Sequence, residues 1–165
     1  MDKEIIIRKA TSLDAEGKGY VHYHSWNQTY TGLIDQDYLD SRSLEGCIKT
    51  AKKFPNNTFV AVDKNKIVGF ASYIKARDED ITNAGEVIAI YLLKEYKGLG
   101  IGKKLMNECL KELKEFNKVI VWVLSSNLST ISFYEHLGFI KDGSKKELKI
   151  NEKSSLTVIR MVFYK

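Results

Sequence analysis

Apolar and polar positions along the chain fall into segments of different period. Ile5 to Arg8 is a short apolar run that predicts a first strand. Thr11-Ser12-Leu13-Asp14 has the composition of a helix start, and a helix is predicted from there to about Asn27. Trp26 and Tyr30, four apart, share a face if that helix extends far enough. After Gly32, a second helix is predicted over Asp35–Ser43 and a third over Leu44–Lys53, ending at the turn cluster Pro55-Asn56-Asn57. Thr58–Val62 and Lys66–Ile74 are rich in Val, Ile, Phe and Tyr and flank a polar break, which reads as a hairpin. Arg77-Asp78-Glu79-Asp80 reads as a solvated charged loop.

Gly85–Leu93 is the clearest strand in the chain. Gly98, Gly100 and Gly102 then follow at every second position. A helix to about Phe116 comes next, with Leu105, Met106, Cys109, Leu110 and Leu113 as its apolar stripe. Val119–Leu124 is almost continuously apolar, as in a central strand covered on both faces. Ser129–His136 predicts a short helix closed by Gly138. Phe139-Ile140 with Leu148–Ile150 predicts a further strand, and Leu156–Tyr164 alternates at period two. The order implies one α/β (α+β) domain over residues 1–165 with a mixed sheet.

Composition changes this picture little. At 165 residues, 44% apolar and 28% charged, the chain is an ordinary globular length and mix. No apolar run is long enough for a transmembrane helix, so no membrane partner is expected. The first ten residues lack a signal-peptide pattern. Cys47 and Cys109 sit far apart, Cys109 in the helical stripe reads as a buried thiol, and a reduced, cytoplasmic compartment is expected. The net charge of +5 is spread along the chain with no basic helix or basic–aromatic run, so nucleic acid is not expected as a partner. No cluster has metal-ligand spacing, so no metal is expected.

The strand, glycine turn and helix from Tyr91 to Leu113 suit an anion, because glycines let backbone approach a ligand and a helix N-terminus offers unpaired N–H groups. A plain glycine-rich turn has the same appearance. Against specific motifs the segment divides. A P-loop requires Gly at 97 and a hydroxyl at 104, where Lys97 and Lys104 stand. The dinucleotide fingerprint fails at Lys103 or Leu105, depending on the starting glycine. The spacing also resembles the first motif of S-adenosylmethionine-dependent methyltransferases, but Tyr96 replaces their acidic residue and the motif lies late in the chain.

Lys97-Gly98-Leu99-Gly100-Ile101-Gly102 resembles the Q/R-x-x-G-x-G/A motif of the GCN5-related N-acetyltransferase (GNAT) superfamily, with Lys97 as a departure. Val121–Asn127, followed by Tyr134, Gly138 and Phe139, is similar to the family's second block. Trp26, Tyr30, Gly32, Tyr38 and Leu39 look like the acceptor-side helices of a bacterial subgroup, some members of which act on polyamines or other small amines.

The resemblance implies a mostly antiparallel six- to seven-stranded sheet flanked by helices and splayed between its fourth and fifth strands. It implies acetyl-CoA as cosubstrate, a small-molecule amine or peptide N-terminus as acceptor, and a monomer or homodimer. Ile90, Tyr91 and Leu92 are then backbone contacts for the pantetheine arm, and the Leu92 N–H polarises the carbonyl. The loop Lys97, Gly98, Leu99, Gly100, Ile101 and Gly102 wraps the pyrophosphate, with Lys103 and Lys104 adding charge. Asn127 touches the cosubstrate, Tyr134 donates a proton to the leaving thiolate, and Glu86 takes the amine proton. His22, His24 and His136 are alternative bases by chemistry alone. Trp26 and Tyr30 line the acceptor pocket, and Asp35, Asp37 and Asp40 are carboxylates available to a polyamine. A methyltransferase and a non-catalytic CoA-binding regulatory domain are the alternatives.

Overall fold

The structure is a computed structural model that describes residues 4–165. Met1–Lys3, the start of the segment read as lacking a signal-peptide pattern, lie outside the described residues. The chain runs β1 (Ile5–Lys9), α1 (Ala15–Tyr30), α2 (Gln36–Ser41), α3 (Leu44–Lys53), β2 (Thr58–Asp63), β3 (Lys66–Lys75) and β4 (Ala84–Leu92). It continues with α4 (Ile101–Glu112), β5 (Lys118–Leu124), α5 (Leu128–His136), β6 (Ile140–Lys149) and β7 (Ser155–Tyr164).

The predicted helix starts are visible in their caps. Thr11 accepts from Leu13 N and exchanges bonds with Asp14 in a capping box, but it opens a 3-10 turn (Ser12–Asp14) and α1 proper follows. Helix α1 runs three residues past Asn27, which brings the Trp26 and Tyr30 rings to 4.7 Å. Asp35 and Ser43 cap α2 and α3 through Tyr38 N and Gly46 N, and extended backbone at Arg42 separates the two helices.

Seven strands form one sheet in the order β1-β2-β3-β4-β5-β7-β6. Every neighbouring pair is antiparallel except β4 and β5. That parallel pair joins only Ala84 to Lys118, Gly85 to Val119 and Glu86 to Ile120, and the strands then separate. Six or seven splayed strands were expected, and seven are present. With a single parallel pair, this is not the sheet of a methyltransferase.

Adjacent residues of β3 show where the helices lie. A Cβ on Gly69 would point at Leu92 and at Leu105 of α4, while the Phe70 ring meets Lys18 and His22 of α1. Successive side chains of a strand face opposite ways, so α1 and α4 cover opposite faces. Leu105, Met106, Cys109 and Leu113 are buried against the sheet, as the helical stripe predicts.

Two expectations fail. The Arg77–Asp80 loop is not simply solvated. Asp78 and Asp80, with Asp142 of β6, surround the buried guanidinium of Arg160 on β7 at 2.6–3.0 Å, and Asp78 also accepts from Trp122 Nε1 at 3.0 Å. Asp78 and Asp80 lie 82 and 80 residues from Arg160 in sequence, and no local pattern reports them. Strand β6 is continuous rather than two apolar ends. Its middle is polar because it is an outer strand with most residues exposed, and lysines on an edge discourage pairing with another chain.

Candidate active site

The separation of β4 from β5 opens a cavity of about 500 Å³. Backbone alternation decides what its β4 wall offers. Leu93 N donates to Val68 O, so the backbone groups of Leu93 and Tyr91 turn toward β3, and those of Leu92 and Ile90 turn toward the opening. The expected run of three backbone contacts therefore divides. Ile90 and Leu92 present free edge groups, and Tyr91 presents its side chain. A bulge adds Ile88 to β4 opposite the Ser72–Tyr73 step, so Val87, Ile88 and Ala89 also line the wall.

At one end of the cavity lies the glycine turn. Gly98 and Gly100 have φ of +79° and +80°, a region that residues with a Cβ rarely adopt, and nothing lies within 4 Å of where a Cβ would be. Gly100 caps α4 without a side chain, and the first turn of α4 holds no acidic residue. The N–H groups at this helix start are thus uncapped and face the space lined by Lys97, Gly98, Gly100, Ile101, Gly102 and Lys103. This cradle fits the pyrophosphate of a CoA-type molecule. Leu99 is 53% exposed and does not line the cavity. Lys97 does, and desolvation together with the Lys94 charge lowers its pKa.

Three phenols and an amide gather at the other end. Tyr134 on α5, Tyr91 on β4 and Tyr30 at the end of α1 all line the cavity with Asn127. Burial raises the pKa of each tyrosine. Tyr30 and Tyr91 raise Tyr134 further, because a phenolate there would sit among other phenols. All three are proton donors at neutral pH. Asn127 is buried and caps α5 by accepting from Thr130 N at 3.2 Å, while its side chain also lies beside the Tyr30 hydroxyl.

Glu86 sits at the last paired position before the strands part and is 3% exposed. Its Oε2 takes Arg77 Nη2 at 3.2 Å, and its Oε1 has no hydrogen-bond partner. It does not line the cavity, although the next residue, Val87, does. Trp26 also stands behind the wall rather than in it, against Tyr30 at 4.7 Å and Tyr91 at 6.5 Å. The Arg42 guanidinium lies 4.4 Å from the centre of the Trp26 ring. Trp26 Nε1 is near the Tyr91 hydroxyl without hydrogen bonding to it, and neither Trp26 Nε1 nor Arg42 Nη1 has an acceptor.

His22 stacks on Tyr91 at 5.2 Å, and burial followed by the Arg42 charge lowers its pKa to about 4. His24 packs against Tyr20 and Tyr23 instead, and His136 is exposed at the end of α5. Asp35 is occupied by Tyr38 N and by Asn151 Nδ2, and Asp40 bonds Gln36.

Arg42, Arg77, Trp122, Ser25, Thr29 and Phe133 were missed from sequence. Trp122 lines the cavity with Lys146 Nζ 3.9 Å above its ring. Its place inside an apolar run concealed that role. Among the described residues no group of His, Cys, Asp or Glu is placed to hold a metal ion, and no helix is long and apolar enough to cross a membrane.

Known proteins share this fold. The sequence model of the Acetyltransferase (GNAT) family matches residues 19–139. The uncharacterized N-acetyltransferase YuaI of Bacillus subtilis is 36% identical over 135 residues, 79% of this chain and 78% of that protein. The spermidine N(1)-acetyltransferase of Thermoplasma acidophilum is 28% identical over 146 residues, 82% of this chain and 88% of that protein. The crystal structure of the PaiA N-acetyltransferase from T. acidophilum in complex with coenzyme A superposes with a TM-score of 0.73 at 25% identity. That match covers 98% of this chain and 99% of the other. The splayed β4–β5 joint and the glycine turn thus belong to an acyltransferase scaffold, and the chain is a member of the GNAT family of N-acetyltransferases.

Proposed function

We propose that this protein transfers the acetyl group of acetyl-CoA to a primary amine of a small molecule or a peptide N-terminus by direct attack. One observation carries the reading. The free edge groups of Ile90 and Leu92 lead into the uncapped start of α4, within the same cavity that holds Tyr134. Acetyl-CoA supplies an activated thioester. The chain's residues do the rest. Uncapped N–H groups from Gly100 to Lys103 hold the pyrophosphate, with Lys97 as a point charge beside them. Ile90 and Leu92 bond the amides of the pantetheine arm, and the Leu92 N–H polarises the carbonyl. Asn127 fixes the arm and α5 together. Tyr134, fully protonated, delivers its proton to the departing sulfur. Glu86 receives the amine proton through water at its free Oε1.

Thiol release from acetyl-CoA in the presence of a panel of amines tests the activity. Acetyl transfer that drops in Tyr134→Phe supports the reading. CoA binding with no turnover on any amine, unchanged by that substitution, would identify a regulatory CoA-binding domain instead.

A further inference from the structure

We infer that the acceptor is an amine bearing a carboxylate, bound through Arg42 with Trp26, and not a polyamine; this rests on the acetyl-transfer reading above. The acceptor-side wall has an uneven supply of bonding groups. Asp35 already accepts from Tyr38 N and Asn151 Nδ2, and Asp40 from Gln36 Nε2. Among the described residues no carboxylate lines the cavity to receive a second ammonium group. Arg42 is the reverse case. Among the described residues it has no carboxylate partner. Its Nη2 meets only the Cys47 thiol at 3.3 Å, and its buried Nη1 meets nothing. Its other neighbours are neutral: His22 by its lowered pKa, and Tyr30 and Tyr91 as phenols.

A guanidinium nitrogen shielded from water without an acceptor is costly, and an oxyanion supplied by the substrate relieves it. Arg42 Nη1 and Trp26 Nε1 are two donors without acceptors, with the guanidinium carbon 4.4 Å from the ring centre, which suits a planar, singly charged, two-oxygen acceptor. Both lie directly behind Tyr30, whose ring forms the cavity wall. Tyr30 is the last residue of α1, followed by Thr31 and the left-handed Gly32, so its ring stands between the cavity and the Arg42–Trp26 pair. The acceptor's amine then points back into the cavity lined by Tyr91 and Tyr134.

Steady-state thiol release compares amino acids with their own carboxamides, with the matching aminoalkyl phosphonates and with spermidine. Titration of each acid–amide pair into the CoA-loaded protein measures binding apart from turnover. The expected result is a kcat/KM for acids at least about tenfold above that for amides, since a hydrogen bond to a charged group has that worth. Arg42→Gln removes the preference by raising KM for acids, with CoA affinity retained. Arg42→Lys recovers part of it, and Trp26→Phe weakens it by a few-fold.

Equal or faster acetylation of amides or spermidine leaves acetyl transfer standing and overturns the carboxylate site. So does an equal loss for acids and amides in Arg42→Gln, and preference for the phosphonates overturns the choice of carboxylate. If no amine is acetylated, acetyl transfer fails, and the titration still decides. Acids that bind wild type but not Arg42→Gln uphold the site, and no binding of acids overturns it.

Discussion

Arg160 on β7 and Asp78 in the β3–β4 loop meet at 3.0 Å beneath the Trp122 indole, which donates to the same carboxylate oxygen. One buried guanidinium thus anchors a loop and, through Asp78, a ring of the cavity wall. Removing it leaves Asp78 and Asp142 close together without their counter-charge. Arg160→Met is expected to lower stability by about 3 kcal/mol, read as a shifted midpoint in urea unfolding. Asp80→Asn, at an exposed carboxylate, should shift that midpoint far less.

Gly100 combines a left-handed backbone with the start of α4. Aspartate tolerates that conformation better than most residues, but its charge would oppose a pyrophosphate. Gly100→Asp should therefore keep the fold, seen by circular dichroism. CoA affinity measured by calorimetry should fall by about 100-fold, the size of two lost charge-assisted hydrogen bonds. Unchanged affinity would remove the glycine turn from the binding site.

Tyr134→Phe deletes one hydroxyl and keeps the ring that packs against Phe133 and Phe139. The expected outcome is a kcat lower by about 100-fold, the lower end for loss of a general acid, with CoA affinity within about twofold. A Tyr134→Phe enzyme of normal kcat would move the acid role elsewhere in the phenol cluster, with Tyr30 the next to test.

His22 ties stability to pH. Its native pKa of about 4 lies below the ordinary value of 6.5, so the unfolded chain takes up a proton before the native chain does. The stability that this neutral, buried ring contributes is complete above about pH 6.5 and is lost as pH falls toward 4. The full effect is on the order of 3 kcal/mol. Urea midpoints measured from pH 7.5 to 4.5 should fall for wild type and fall less steeply for His22→Phe.

Much of the fold was legible because it is locally encoded. Thr11, Asp35 and Ser43 announce helix starts, and the apolar stripe of α4 and the continuous run of β5 state their own burial. The cradle was legible for a related reason, since Gly98 and Gly100 must be glycines wherever that backbone is needed. What escaped were features made by distant partners. Arg160 lies 80 residues from Asp80, and Asn151 lies 116 residues from Asp35. Arg42 falls at a helix break that looks like any polar turn, and its value comes only from Trp26 folding beneath it.

The three-pair joint between β4 and β5 makes the sheet a pair of half-sheets held at one corner. The amides of Ile90 and Leu92, unpaired although interior in the strand order, should then be open to hydrogen–deuterium exchange. On the proposed reading, a bound pantetheine arm would take the place of a missing strand there. CoA should slow exchange at these alternate amides and leave Tyr91, already bonded to β3, unchanged. That every-second-residue signature would report the ligand's path along the strand without any turnover.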